Sequence, residues 1–452
     1  MMDKPALPKG TRDFGPVVMA RRNYLTGVIR QVFERFGFQP LETPAMENLS
    51  TLLGKYGEEG DQLLFRILDN GDFLKDVPDD VFALRDARKL SQYIAGKGLR
   101  YDLTVPFARY VVMNRSDIPM PFRRYQIQPV WRADRPQKGR YREFYQCDAD
   151  VVGTDSLLCE TEIVLMIDEV FGKLGLKDYA IKINHRDILN HIARATGAAG
   201  RENDLFVALD KLDKIGEEGV REELSQRGFA TSVADKLFDF IRTGAAPNGL
   251  TQLSKDLPES RGLNELQQVF AMLRLAGNDL THAQFDVSLA RGLTYYTGCI
   301  FEVKISNVAV GSVCGGGRYD NLTQAFGSKE KLSGVGISFG IDRIYDALAE
   351  LNLFPSQVQS SVKVLVCHMD EGTFRFGLQV VQQLRQAGVA SELYPDITKL
   401  RKQLDYANRR QIPFAAVIGP DEMSRGTVAL KNLTTGEQET LTTEKLIEKL
   451  KP

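Results

Sequence analysis

Strand-like runs separated by one long helical stretch constrain the fold of this chain most. A period of two in apolar residues is typical of strands with one buried face. Between these runs, residues 172–280 read as helices, with segments such as DILNHIARA and ELQQVFAMLRLAG. We therefore predict an α+β fold, in which an antiparallel sheet with flanking helices is interrupted by a helical insertion. The runs that predict strands are residues 99–112, 121–131, 141–152, 283–289, 299–305 and 335–341.

The pattern changes near the C-terminus. From Val362 onward, short apolar strands such as VKVLV and PFAAVI alternate with amphipathic helices. Strands and helices that alternate at this spacing are typical of a small α/β domain with a largely parallel sheet. We therefore predict a separate C-terminal α/β domain.

Two segments rich in glycine and arginine suggest a ligand site. RGLTYYTG begins at Arg291, and GGGRYD begins at Gly315. Glycine lets the backbone approach a ligand closely, and arginine offers planar, permanently charged donors that suit carboxylate or phosphate. Taken alone, the two segments fit an ordinary hairpin with a solvated arginine equally well.

A basic segment runs from residue 123 to residue 142, over the second predicted strand and the loop after it. It contains one acid, Asp134, and is broken by Pro136 and Gly139, so it predicts an exposed loop more than a mixed-charge helix face. Such a loop can follow a phosphate backbone, although the net charge of −1 argues against a generally basic nucleic-acid binder. The cations are Arg123, Arg124, Arg132, Arg135, Lys138, Arg140 and Arg142.

Several of these segments resemble one enzyme family. Residues 121–146 and 334–347 resemble motifs 2 and 3 of the class II aminoacyl-tRNA synthetases. RGLTYYTG and GGGRYDNL resemble the two signatures of the histidyl-tRNA synthetases within that class. PKGTRDF, LETP and LRYDLT extend the resemblance over nearly the whole chain.

The resemblance gives the predicted domains their roles. It implies a catalytic domain built from two parts, a helical insertion and an anticodon-binding domain. The predicted limits are 1–171 for the first catalytic part with motifs 1 and 2, 172–280 for the insertion, 281–352 for the second catalytic part, 353–361 for a linker, and 362–452 for the anticodon-binding domain.

Amino-acid activation brings a carboxylate against the α-phosphate of ATP, so the site must neutralise charge and hold the reactants in line. The resemblance implies that Arg132 and Arg291 are catalytic, with Arg291 taking the place of a metal ion at the α-phosphate. It also implies that Arg132, Arg140 and Arg343 bind ATP. For each arginine a surface salt bridge is the alternative.

The resemblance also assigns the amino-acid and tRNA sites. Asp102 has a simpler alternative, a cap at the end of a strand. The chain departs from the family where Thr294 replaces the usual aspartate, and where Asp102 replaces the glutamate of many bacterial members. The residues implied for histidine are Asp102, Thr104, Gln146, Asp150, Arg291, Tyr295, Tyr296 and Tyr319, and those implied for the tRNA acceptor end are Arg135, Gln137 and Lys138.

No protein-bound metal is predicted. The four histidines lack metal-ligand spacing, and the five cysteines contain no CxxC pair, so reduced thiols are expected. The resemblance implies that Mg²⁺ arrives with ATP, and Glu302 is a weak candidate to position it.

Cellular context follows from simple features. The chain has no apolar run of the ~20 residues that a membrane span needs, and its N-terminus lacks the apolar block of a signal peptide. We therefore expect a cytoplasmic protein that is not bound to a membrane. The helix-then-strand pattern over residues 17–40 resembles class II motif 1, which implies a homodimer.

The function implied by the resemblance is that of a histidine–tRNA ligase, with L-histidine, ATP and tRNA(His) as partners. One alternative is a histidine-sensing regulatory subunit of ATP phosphoribosyltransferase. Such paralogues generally lack the anticodon-binding domain and lose the ATP-binding arginines, whereas this chain keeps both features. A second alternative is an RNA-binding module that would not need intact ATP and amino-acid sites.

Overall fold

The computed structural model describes residues 4–137, 139–290, 296–321, 323–327, 331–355, 358 and 362–451. The chain forms two compact units. Residues 25–353 and the N-terminal stretch up to Arg12 form the first, and Asp13–Tyr24 with the residues from Phe354 onward form the second.

The first unit contains an eight-stranded sheet and a separate three-stranded sheet. Its strands are β1 (Gln39–Pro40), β2 (Met46–Asn48), β3 (Arg66–Ile67), β4 (Lys97–Leu99), β5 (Phe122–Trp131), β6 (Glu143–Val152), β7 (Tyr179–His185), β8 (Ala283–Phe285), β9 (Cys299–Ile305), β10 (Cys314–Tyr319) and β11 (Gly334–Gly340).

The large sheet has the order β1-β5-β6-β11-β10-β9-β7-β8, and β2-β4-β3 form the small one. In the large sheet the β1–β5 and β7–β8 pairs are parallel and the other pairs antiparallel. The predicted antiparallel sheet with flanking helices is therefore confirmed.

Helices surround the large sheet. Helix α1 (Pro16–Arg35) contributes residues to both units. The other helices of the first unit are α2 (Leu49–Leu52), α3 (Gly57–Gln62), α4 (Asp79–Ala83), α5 (Ala87–Ile94), α6 (Thr104–Met113), α7 (Leu158–Lys173), α8 (Arg186–Thr196), α9 (Glu202–Leu209), α10 (Leu212–Gln226), α11 (Thr231–Ala245), α12 (Gly249–Asp256), α13 (Arg261–Leu275) and α14 (Ile341–Glu350).

One face of the large sheet packs into the main core. Phe339 of β11 lies 5.7 Å from Phe33 and 6.0 Å from Phe171, measured between ring centroids. Cys147 and Ile181, which share this face, are fully buried. This apolar face fixes the register of the strands, because a one-residue slip would turn every side chain to the opposite face.

A buried ion pair anchors the glycine-rich strand β10 to α7. Arg318 donates to both carboxylate oxygens of Glu160, at 2.5 and 2.7 Å, and also to Ser333 Oγ and the Thr154 carbonyl. Arg318 is 5% exposed and Glu160 is 0% exposed. The pairing with Glu160 raises the pKa of Arg318 against the opposing effect of burial.

The strand predicted over 99–112 is wrong for most of its length. Strand β4 ends at Leu99, and residues 104–113 form the helix α6. Pro106 lies in the first turn of this helix, where its missing N–H has no cost. Val105, Ala108 and Val111 are buried at a spacing of three, which places them on one side of a helix of about 3.6 residues per turn.

Helices α8 to α13 occupy residues 186–275, within the range predicted for the insertion. The range predicted for the insertion, 172–280, also contains β7, which is a strand of the large sheet. The domain limits themselves stay a prediction.

The second unit has its own five-stranded sheet, in the order β13-β12-β14-β15-β16. Only β13, β12 and β14 are parallel, and β15 and β16 add antiparallel pairs, so the prediction of a largely parallel sheet is wrong. The strands are β12 (Val364–His368), β13 (Ser391–Leu393), β14 (Phe414–Ile418), β15 (Thr427–Asn432) and β16 (Gln438–Thr442); the helices are α15 (Glu371–Gln386), α16 (Leu400–Arg409), α17 (Pro420–Arg425) and α18 (Thr443–Leu450).

Candidate active site

The face of the large sheet opposite the main core is polar. On β6, Gln146, Asp148 and Asp150 alternate with apolar residues, so their side chains share this face. Neighbouring strands continue it with polar or small residues, and one row across the sheet consists of Gln126, Asp148, Ser338, Gly315, Glu302 and Lys182.

Glycines lower the floor of this face. Gly336 of β11 lies opposite Asp150, and a Cβ atom on Gly336 would lie 2.0 Å from Asp150 Oδ1, so a side chain there would displace the carboxylate. Gly315 and Gly317 of GGGRYD share this face, because their partners across the sheet are Ser338 and Gly336. These glycines of the central strand β10 therefore let the backbone lie close to the ligand site.

A cavity opens on this face. Four of the residues predicted for histidine line it, namely Thr104, Asp150, Tyr296 and Tyr319. Asp148 and Ser338 line it as well, and neither was predicted. The alternation of β6 contains the signal for Asp148, because a side chain two residues from both Gln146 and Asp150 must lie on their face.

Asp150 is held by two partners on the polar face. The hydroxyl of Tyr319 donates to its Oδ1 at 2.7 Å, and Arg124 Nη2 lies 2.8 Å from its Oδ2. Burial raises the pKa of the Asp150 carboxyl, while Arg124 and the Tyr319 hydrogen bond oppose that shift. Arg124 was predicted only as part of the basic segment, yet it is fully buried.

Asp102 both caps a helix and keeps an acceptor atom. Its Oδ1 accepts from the Val105 amide and from the Tyr56 hydroxyl, each at 3.0 Å. Its buried Oδ2 has no hydrogen-bond partner among the described residues. Burial raises the pKa of Asp102, against the hydrogen bonds and the positive charges of Arg132 and Arg124. Tyr56 was missed because 46 residues separate it from Asp102.

Gln146 lies on the same face of β6 as Asp148 and Asp150 but does not line the cavity. Its Nε2 donates to Ser338 Oγ at 2.7 Å, and its buried Oε1 has no partner among the residues that the structure describes. Asp102, like Gln146, lies outside the lining of the cavity.

The predicted arginines lie around the basic loop. Arg132 donates from Nε to the Tyr101 carbonyl at 3.0 Å, and its guanidinium lies over the rings of Tyr101 and Phe144 at 4.2 and 5.2 Å. Arg343, on α14, donates to the carbonyl oxygens of Gly139 and Ser312 at 3.0 and 2.6 Å.

The rest of the loop is open to solvent. The Arg140 side chain is 44% exposed and lies 3.6 Å from Asp134. Arg135 and Gln137 are exposed, and the Gln137 and Arg140 backbones pair to close the loop. Three predicted residues, Arg291, Tyr295 and Lys138, lie outside the described residues, as does Thr294.

The described residues contain no group of three or more His, Cys, Asp or Glu that could hold a metal ion. All five cysteines are buried and free. Glu302 lies 3.5 Å from Lys304 and lines a second cavity with Lys182 and Asp213, so the structure does not bring it to the first cavity. No helix in the described part of the chain is apolar over a length that would cross a membrane.

A family model described as "Histidyl-tRNA synthetase" matches residues 78–344. The chain belongs to the histidyl-tRNA synthetase family. A second model, described as "Anticodon binding domain", matches residues 361–452. The α+β architecture is thus the fold of the histidyl-tRNA synthetases, with an anticodon-binding domain at the C-terminus.

Relatives of the histidyl-tRNA synthetase family match over the full length. The histidine–tRNA ligase of Cytophaga hutchinsonii is 57% identical over 99% of this chain and 100% of its own length. The ligase of Bacteroides fragilis (strain YCH46) is 50% identical, with 99% of each chain covered.

Solved structures of the histidyl-tRNA synthetase family agree. The histidyl-tRNA synthetase of Nostoc sp. PCC 7120 superposes with a TM-score of 0.83 at 32% identity, and 99% of each chain is covered. A protein from Bacillus halodurans C, described as an ATP phosphoribosyltransferase regulatory subunit/histidyl-tRNA synthetase, has a TM-score of 0.71 at 19% identity and shares the fold alone.

Proposed function

We propose that this protein is a histidine–tRNA ligase. It joins L-histidine to ATP to form histidyl-adenylate and releases pyrophosphate, and it then transfers histidine to the 3′ end of tRNA(His). The main structural support for this function is a set of buried acceptor atoms that have no hydrogen-bond partner among the described residues. They are Asp102 Oδ2, Gln146 Oε1 and Asp148 Oδ1. Buried polar atoms are normally paired, so the unpaired atom of Asp148 in the cavity wall, with those of Asp102 and Gln146, supports a polar ligand here.

The donors of histidine suit this set. Its ammonium group supplies three N–H donors, and a neutral imidazole ring supplies one. Asp102, Thr104, Gln146 and Asp150 are proposed to hold the ammonium group and backbone of histidine, with Tyr295, Tyr296 and Tyr319 around the ring. A site built to hydrogen-bond a substrate rejects analogues that lack the matching groups, because its buried polar atoms are then left unpaired.

The arginines are proposed to act on the phosphates. The Arg132 guanidinium lies over the rings of Tyr101 and Phe144, and a guanidinium positioned in advance needs little reorganisation when charge develops at the α-phosphate. Arg140 and Arg343 would bind the other ATP phosphates and the adenine face, and Arg291 would act across the α-phosphate. The carboxylate oxygen of histidine then attacks the α-phosphorus, and pyrophosphate leaves.

Mg²⁺ is proposed to enter as part of the ATP substrate. Such an ion would be held mainly by the phosphates and by water, as Mg²⁺ usually is at nucleotide sites. Its role there would be to neutralise the pyrophosphate that leaves.

Two regions are proposed to bind tRNA. Arg135, Gln137 and Lys138 of the basic loop would meet the acceptor end, since Arg135 and Gln137 are exposed. The C-terminal unit would read the anticodon with exposed cations of α16 and its end, among them Arg401, Lys402 and Arg409. We also propose that the protein is a cytoplasmic homodimer, with the α1–β1 region as the motif 1 interface.

The test is histidine-dependent exchange of labelled pyrophosphate into ATP, followed by aminoacylation of tRNA(His). We expect exchange with L-histidine and no exchange with the other standard amino acids. Absence of exchange, with histidine binding retained, would favour the regulatory-subunit alternative. That alternative is less supported, because the chain carries an anticodon-binding domain and matches ligases over its full length.

A further inference from the structure

The segment PKGTRDF near the N-terminus takes no part in the function proposed above. Its first residues form a turn, in which the Pro8 carbonyl accepts from the Thr11 amide at 3.1 Å and from the Thr11 hydroxyl at 2.7 Å. We call residues 8–12 the N-terminal turn. It belongs wholly to the first unit. Its contacts are with two elements that carry arginines proposed to bind ATP, the basic loop between β5 and β6 and the helix α14.

The N-terminal turn packs against both sides of the basic loop. The Gly10 carbonyl accepts from the Arg142 amide at 2.9 Å. The Arg142 side chain donates to the carbonyl oxygens of Lys9 and Asp134 at 3.4 and 3.2 Å. A Cβ atom on Gly10 would lie 2.8 Å from Arg142 Cγ and 2.9 Å from Pro136 Cγ, and the φ of Gly10 is +89°. Any other residue at position 10 would therefore strain the backbone and displace the loop.

Arg12 connects the same loop to α14. Its guanidinium forms an ion pair with Asp342 in the first turn of α14, and its Cζ lies 3.3 Å from the centroid of the Tyr141 ring. Asp342 is 5% exposed, and its second carboxylate oxygen accepts from the Tyr145 amide of β6 at 3.3 Å. Arginine suits this position, because one planar guanidinium can pair with a carboxylate and lie on an aromatic ring at the same time.

Arg343 joins the same two elements. It follows Asp342 directly in α14, and its guanidinium donates to the Gly139 carbonyl of the basic loop at 3.0 Å. Two arginines, Arg12 and Arg343, therefore connect α14 to this loop. A shift of the loop relative to α14 would move the Arg343 guanidinium or break its contact with Gly139.

We propose that Arg12 is a positioning residue for ATP, which acts by holding α14 and the basic loop at the separation that Arg343 needs. This inference rests on the proposed function, in which Arg343 binds ATP. Arg12 acts through Asp342 and Tyr141, the groups that its own guanidinium contacts. A guanidinium that is already in place when the ligand arrives loses less free energy to ordering, so ATP binds more tightly.

The test measures the affinities for ATP and for L-histidine, each alone, by calorimetry in the full-length protein. The kcat/KM for ATP in histidine-dependent pyrophosphate exchange is measured beside them. We expect Arg12→Ala to lower this kcat/KM about 10- to 100-fold, because a displacement of about 1 Å can cost that much, and the affinity for ATP should fall with it. The affinity for histidine should change less than about twofold, as for an independent site.

Two single variants serve as comparisons. Arg12→Lys keeps the charge of the ion pair but not the planar group, so it should restore part of the affinity for ATP. Arg201→Ala is the matched control, because Arg201 also pairs with a carboxylate, that of Asp204 at 3.1 Å, and lies over a ring, that of Phe229 at 4.1 Å. Arg201 precedes α9, and its removal should leave the affinity for ATP as in wild type.

A double variant tests whether Arg12 acts through Arg343. Arg343→Ala should weaken ATP binding by itself, and Arg12→Ala/Arg343→Ala should be no weaker within about twofold, because positioning has no effect on a group that is absent. Losses that add in the double variant would overturn the proposal. So would unchanged ATP affinity in Arg12→Ala, an equal loss for ATP and histidine, or a loss as large in Arg201→Ala.

Failure of the proposed function gives a different result. Wild-type protein that binds ATP but catalyses no histidine-dependent exchange would contradict the ligase function, and the ATP affinities of the variants would still test Arg12. Wild-type protein that binds no ATP would overturn both the proposed function and the role of Arg12.

Discussion

Removing Arg318 should destabilise the first unit far more than removing an exposed arginine. In Arg318→Met, Glu160 stays at 0% exposure without the cation that donates to both of its oxygens. Breaking a buried pair from one side typically costs about 3–5 kcal/mol, because the remaining charge is buried and uncompensated. We expect the free energy of unfolding to fall by that amount.

The assay is urea unfolding followed by tryptophan fluorescence. Trp131 is the single tryptophan of the sequence and lies in the first unit, so its signal reports the unit that contains the ion pair. The control is Arg242→Met. The Arg242 side chain is 58% exposed and pairs with Asp239 at 2.7 Å. An exposed pair of this kind is worth about 0–1 kcal/mol.

The double variant Arg318→Met/Glu160→Leu separates a lost charge pair from lost packing. Removing both charges should cost clearly less than the sum of the two single changes, since no unpaired charge remains. A cost of Arg318→Met no larger than that of Arg242→Met, or two single costs that simply add, would contradict a stabilising buried ion pair.

Three other changes test the site, the insertion and the loop. Tyr56→Phe removes the hydroxyl that donates to Asp102, so the KM for histidine should rise about fivefold to tenfold at unchanged KM for ATP; an unchanged histidine KM would contradict this role. The His185 hydrogen bond holds the pKa of Glu265 below its ordinary value, so Glu265 adds stability above about pH 4.3 that is lost as the pH falls through the lowered pKa. Urea unfolding of Glu265→Gln between pH 7 and pH 3 should therefore show a smaller loss of stability than wild type, and parallel curves would argue against the linkage. Gln137→Ala should slow transfer to tRNA more than adenylate formation, measured by single-turnover kinetics; equal slowing of both steps would show that the loop acts on ATP instead.

The local pattern of apolar residues was sufficient to predict the strands that carry the site residues. β5, β6, β9 and β11 were predicted within a few residues, because each alternates or is apolar over a strand length. The same criterion failed for α6, whose apolar run is short and fits a buried helix equally well. Pro106 was the available signal, since proline is suited to the first turn of a helix and disrupts a central strand.

The site itself was only partly accessible from the sequence. The family resemblance supplied Thr104, Asp150 and Tyr319, which the structure brings together at one cavity. Asp148 could have been predicted from the strand period, because it alternates with Cys147 and Ala149 on β6. Arg124 and Tyr56 depend on contacts between distant segments, as in the 46-residue separation between Tyr56 and Asp102, so no local pattern marks them.

The ten residues of β6 have a consequence for how this protein can evolve. One set of alternate positions carries the carboxylates of the cavity, and the other set carries Cys147, Ala149 and Val151, which are buried on the opposite face. Deleting or inserting one residue would exchange the two sets, placing a thiol and aliphatic groups in the cavity and carboxylates in the core. Substitutions in this strand can therefore be selected one at a time, whereas changes of its length would remove the ligand site and the packing together. Among related sequences, the length of this strand should vary less than the identity of any single residue in it.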